Sequence, residues 1–133
     1  MKIRALVVAT VLACVSAPHL MAQGVWVPLP QAGGTKVWAD SNSWMRGSNG
    51  MVSVRLRTIE ARVDGKPSDE GTIQYMDFDC TKKLYRVRRT EFVKGEKVVG
   101  ILPDSMGNAR GWQAPKPDWL EDHQLQASCS RKL

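Results

Sequence analysis

Of 133 residues the first 22 read as an export signal, and the 111 beyond them give enough chain for one domain with a modest core and too little for two. Losing Lys2 and Arg4 with the signal takes the balance from 19 basic and 13 acidic residues to 17 and 13, a net +4 that is no nucleic-acid signature. No later apolar stretch approaches the ~20 residues of a membrane helix, so no transmembrane segment is expected past the signal.

The signal has a basic start at Lys2 and Arg4, then an apolar run over residues 5–15 interrupted only by Thr10. Pro18 precedes Leu20-Met21-Ala22, where Ala22 offers a signal peptidase its small residue. Such a run is too short to anchor the chain across a bilayer. Val11-Leu12-Ala13-Cys14 is lipobox-like, which would make Cys14 the carrier of a lipid anchor. Leu12 stands where a small residue is usual, however, and the other reading keeps Cys14 as an ordinary member of the signal core. Either way residues 23–133 form the exported domain, in the periplasm or at the outer cell surface.

Strands come first in that domain. Residues 35–40, with Val37 and Trp38, predict one, and residues 41–50 are a Ser-, Asn- and Gly-rich connection. Residues 51–61 form the clearest strand: Val52, Val54 and Leu56 point one way and Ser53, Arg55 and Arg57 the other, the period of a half-buried strand. Asp-Gly and Lys-Pro make residues 64–71 a loop. Residues 72–80 resume with Met76, Phe78 and Cys80 on one face and Ile73, Tyr75, Asp77 and Asp79 on the other.

Residues 84–93 and 97–102 flank Gly95-Glu96, and glycine at the first central position suits a type II′ hairpin. Residues 103–117 are irregular, with Trp112 as the anchor expected of that loop. Asp118 followed three residues later by Glu121 is a capping-box variant, so a helix is expected from there toward Cys129, with Leu125 and Cys129 on one face and Leu120 off it. The class is α+β: a small single-domain antiparallel sheet with a C-terminal helix.

Without the signal, three cysteines become two, Cys80 and Cys129, in an oxidising compartment where disulfides persist. A bond between them would tether the helix to the sheet. The competing uses of a cysteine pair lack their spacing: there is no Cys-x-x-Cys, and His123 alone cannot complete a zinc site. No metal or other cofactor is expected.

Gly24-Val25-Trp26, Lys36-Val37-Trp38-Ala39-Asp40, the long strand, Tyr75-Met76-Asp77-Phe78-Asp79-Cys80, a basic hairpin, Gly111-Trp112 and a terminal helix ending in Cys129 follow one another in an order that resembles the bacterial surface-adhesin protein E-like family. The resemblance spans residues 25–129. It implies an antiparallel sheet with a disulfide-tethered helix, and a surface protein that binds host matrix or serum proteins. Many similar sequences are small exported proteins, which leaves a periplasmic cell-envelope accessory with a structural role and no host partner as the alternative.

Nothing in the residues builds an enzyme. His123 is the single histidine past the signal and lies on the expected helix, and Gly33-Gly34 and the glycines of residues 47–50 lack the strand and helix context of a nucleotide loop. Asp77 and Asp79 share a strand face and so resemble a carboxylate pair. The simpler expectation is cross-strand ion pairing with Arg55, Arg57, Arg86 and Arg88 on a solvated face. That face, with Tyr75 and with Lys82 and Lys83 beside it, is the candidate protein-binding surface, because arginine and tyrosine favour interfaces. Trp38 and Trp44, bracketing the Ser/Asn connection, form a second candidate. Trp26, Trp112 and Trp119 are expected as core or loop anchors.

Overall fold

A computed structural model describes residues 24–30, 35–59, 69–102 and 111–131. The expected export signal, its expected cleavage site and Cys14 lie outside the described residues. Among the described residues seven strands run β1 (Trp26–Pro28), β2 (Lys36–Asp40), β3 (Met45–Arg46), β4 (Met51–Ile59), β5 (Glu70–Asp79), β6 (Leu84–Lys94) and β7 (Lys97–Ile101), and one α-helix, α1 (Leu120–Ser130), follows them. Every strand pair is antiparallel, in the order β1-β2-β4-β5-β6-β7, with the short β3 also on β4. The domain is therefore a small α+β unit. Among its described residues no helix is long and apolar enough to cross a membrane.

One sheet face carries the main core. Val52, Val54 and Leu56 of β4, Met76 and Phe78 of β5, and Val37 and Ala39 of β2 are buried there with Leu125 of α1. Burying a large side chain of this kind contributes about 1.5–3 kcal/mol, so the β4 and β5 alternation alone commits this face to the helix. Leu120 packs against the same cluster at the helix start, although its spacing from Leu125 is off the face. Cys129 joins it at the other end, bonded to Cys80 with a Cα–Cα distance of 5.6 Å. Arg46 of β3 donates to the carbonyls of Cys129 and Arg131, at 3.2 and 3.0 Å, capping the last turn.

Two local expectations are corrected. Strand β5 begins at Glu70, so Glu70 and Gly71 belong to the sheet and not to the loop. The cause is a close approach: a Cβ at Gly71 would meet the carbonyl oxygen of Thr58 on β4, and glycine lets the strands pair there. The capping box at Asp118 does not form. Trp119 is the N-cap and has no side-chain cap bond, while Asp118 adopts φ 62° and its N–H donates to the Asp122 carboxylate at 3.1 Å. Two acidic residues in the first turn, Glu121 and Asp122, still suit the helix dipole. The Ser/Asn connection is rich in turns as expected, two short 3-10 turns with the two-residue β3 between them.

The β6–β7 hairpin turns through Gly95 at φ 58° with Glu96 outside the left-handed region, as a type II′ turn requires. Further along, β6 changes phase. Met76 faces Val87 and Tyr75 faces Arg89, so Arg88 is an extra residue in the ladder. Tyr85 and Val87 consequently lean toward the main core, whereas Glu91 and Val93, past the bulge, turn to the opposite face.

That opposite face has a small cluster of its own. Ile73 and Val93 are buried in it, packed by Tyr75, by Trp26 of β1 and by Val98 of β7. Strands β1 and β7 are the two ends of the sheet order, so the sheet curls enough for both edges to reach one cluster.

Candidate functional site

The face away from α1 gathers Trp38 and Asp40 of β2, Ser53, Arg55 and Arg57 of β4, Tyr75 and Asp77 of β5, and Arg86, Arg88, Arg89 and Glu91 of β6. Registers put these residues on one side because directly opposed residues of an antiparallel pair share a face. Strand β5 does lie between the two basic strands, β4 and β6. The expected solvated face is nevertheless largely closed.

Arg55 and Arg57 are the clearest corrections, with side chains only 12% and 11% exposed. Arg55 Nη2 donates to Asp40 Oδ2 at 2.7 Å, and Asp40 Oδ1 also accepts from the backbone N–H groups of Val25 and Asn42. Trp26 stacks on the same guanidinium at 5.2 Å. One ion pair thus ties β1, β2, the first 3-10 turn and β4 together. Arg57 reaches across the curled sheet to the hairpin tip, where Nη2 donates to the Gly95 carbonyl at 2.6 Å and Nη1 to Glu96 at 3.2 Å. Neither side chain is available to a partner.

Asp77 organises the rest. Its buried carboxylate accepts from Ser53 Oγ at 2.7 Å and Arg88 Nε at 2.9 Å on Oδ1, and from Arg86 Nε at 2.8 Å on Oδ2. Both oxygens are thus occupied by donors from the neighbouring strands, which makes this carboxylate a cross-strand tie. Asp79, its neighbour on the strand, accepts from the backbone N–H groups of Thr81 and Lys82 and shapes the β5–β6 turn. The two carboxylates therefore do separate structural jobs.

Arg86 and Arg88 remain 42% and 47% exposed. Each uses only Nε on Asp77, and their Nη groups take no partner among the described residues. Trp112 lies 4.7 Å from the Arg86 guanidinium. It is placed there by reciprocal backbone bonds between Gln113 and Tyr85, at 2.8 and 2.9 Å, which lay residues 111–113 along the start of β6. Trp112, expected as the anchor of its loop, is thus a partly exposed ring stacked on Arg86 where residues 111–113 meet β6.

Arg89, beyond the bulge, sits 5.7 Å from the Tyr75 ring with Nη2 2.7 Å from Glu91 Oε1. Glu91 is 0% exposed, and neither of its oxygens has a well-directed hydrogen bond. Sequence reasoning left out Arg89, Glu91 and Asp40. The consecutive pair Arg88-Arg89 was the available sign of a phase break, since strict alternation cannot put both on one face.

The remaining candidates scatter. Lys82 and Lys83 are exposed in the β5–β6 turn, at the end of the strands and outside the ion-pair network. Trp38 is half-buried beside Arg57, while Trp44 is 5% exposed inside the helix-side core with Arg131 over its ring. The two tryptophans point to opposite sides of the sheet and form no common site. Trp119, expected as an anchor, is exposed, with the Lys116 ammonium 4.3 Å from its ring. No group of three or more His, Cys, Asp or Glu side chains converges among the described residues. Comparison with known protein families, characterised proteins and solved structures gives no match.

Proposed function

We propose that this is an exported, non-catalytic binding protein that recognises an acidic surface on a protein partner through the outward part of its arginine face. The observation that carries the reading is the pair Arg86 and Arg88, held through Nε on buried Asp77 while about half of each side chain stays exposed, with Trp112 alongside. Side chains fixed before binding lose little entropy on binding, and arginine and tryptophan are the residues that anchor interfaces. The resemblance to the surface-adhesin protein E-like family gives the partner class, a host matrix or serum protein.

A different observation favours a second reading. Arg55, Arg57 and Arg89 are each committed to an acidic group inside the molecule, as a periplasmic accessory without a host partner would also have them. Surface labelling of intact cells separates the two, combined with binding of the purified protein to immobilised matrix and serum proteins. The adhesin reading expects labelling from outside, and binding that weakens with salt and in Arg86→Gln/Arg88→Gln. A protein shielded from the label supports the accessory reading. A partner bound equally well by that variant moves recognition off this face.

A further inference from the structure

Charge is not spread evenly over the arginine face. Arg55 is matched by Asp40, Arg57 by Glu96 and Arg89 by Glu91, one carboxylate to each guanidinium. Among the described residues Arg86 and Arg88 share Asp77 alone, so this triad holds two cations and one anion and carries a surplus of one positive charge. The surplus is also the solvated end of the network, for the anion is buried while both cations are about half exposed.

We infer that the triad is a receptor for a single carboxylate, supplied by an aspartate or glutamate side chain of the partner protein and seated between the Nη groups of Arg86 and Arg88. This rests on the reading of the protein as a binding module and names the chemistry of its contact. Three features select a carboxylate. A planar anion with two oxygens matches the guanidinium fork, which donates two parallel N–H bonds. One negative charge balances the triad's surplus of one. A densely sulfated or phosphorylated polyanion needs a row of unmatched cations, and the neighbouring arginines are already matched.

Asp77 sets the geometry. By taking Nε from both arginines it restrains the two guanidinium groups at the half-exposed end of the network and leaves their Nη donors to a ligand, so less freedom is lost when a carboxylate arrives. Ser53 supports it from β4 by donating to the same carboxylate. The Trp112 ring, at 4.7 Å from Arg86, covers one guanidinium and offers apolar surface to whatever flanks the incoming acid.

The test uses the purified exported protein, with fluorescein-labelled hexaglutamate as probe and a fluorescein-labelled heparin fragment as the sulfated alternative, both followed by anisotropy. Hexaglutamate is expected to bind saturably, and Arg86→Gln/Arg88→Gln to weaken it about tenfold or more, the range for losing charge-assisted hydrogen bonds. Lys82→Gln/Lys83→Gln, which removes the same charge nearby, is expected to change it far less. Because the arginine variant leaves Asp77 buried with fewer donors, Asp77→Asn/Arg86→Gln/Arg88→Gln is measured beside it and is expected to lose the same affinity.

Equal losses from the lysine and arginine variants overturn the receptor, since binding would then follow net charge. Tighter, arginine-dependent binding of the heparin fragment overturns the choice of carboxylate. If hexaglutamate fails while a protein partner still depends on Arg86 and Arg88, the carboxylate receptor is wrong and the binding face stands. If that partner ignores both arginines, the face itself is wrong.

Discussion

Arg89 and Glu91 are two apart on β6, past the bulge, and so lie on one face of the sheet. Glu91 is fully enclosed and Arg89 is the cation beside it, which makes their contributions unequal. Removing Arg89 alone leaves a buried carboxylate without compensation. Arg89→Met is expected to cost about 2–3 kcal/mol, at or below the lower end for breaking a buried pair because Arg89 is itself partly solvated. Arg89→Met/Glu91→Leu should regain about half of that loss, because no buried charge then remains. Urea denaturation of both variants measures it. A single variant as stable as the parent would mean that Glu91 is not held by Arg89.

Single residues also mark how far the sequence could be read. The pairing of Asp77 with Arg86 and Arg88 followed from alternation, because β5 and β6 are joined by a short turn and their register is local. Asp40 as the partner of Arg55 did not follow. It depends on β2 lying against β4, a pairing that an irregular 3-10 connection does not announce. Trp44 sits in that same connection, where there is no period to say which way a side chain points, and it turned inward. The disulfide was legible for a different reason: two cysteines beyond the expected export signal leave one intramolecular pairing.

Among the elements, α1 depends most on its attachments. It buries Leu125, with Gln124 and Ser128, so its apolar contribution is small for its 11 residues. What holds its C-terminal end is the bond from Cys129 to Cys80 and the Arg46 cap. The disulfide closes a separation of 49 residues, and loop entropy assigns about 4 kcal/mol to a closure of that length. Cys80→Ser/Cys129→Ser is accordingly expected to lower stability by an amount of that order. In native-state hydrogen exchange, amides of α1 should lose protection ahead of those of β4 and β5. Protection that falls equally in helix and strands would show the bond acting on the whole domain and not on the helix.

The β6 element shows the limit of periodicity. Its residues are strand formers in sequence and form a strand of 11 residues, yet one extra residue in the ladder reverses which side chains face α1. A bulge carries no composition signal beyond Arg88-Arg89. The helix start was misplaced for a related reason: the capping-box spacing was present, but Asp118 took a left-handed conformation and its N–H bonded to the Asp122 side chain instead.

At the scale of the molecule both faces of the sheet are committed. One packs on α1, and the other is filled by a small apolar cluster and by ion pairs that draw β1, β2 and the β6–β7 hairpin over it. The consequence is that much of the basic surface expected to be open is internal, and its more exposed part is Arg86 and Arg88 with Trp112 beside them. Everything proposed for function depends on those two guanidinium groups being fixed by Asp77 rather than waving in solvent. Proton-exchange rates of the arginine Nε–H groups, read by nitrogen-15 NMR in the parent and in Asp77→Asn, test this most directly. Slow exchange at Arg86 and Arg88 in the parent, lost at both in Asp77→Asn, is the expected result. Rapid exchange at both residues in the parent, unchanged by the substitution, would contradict it.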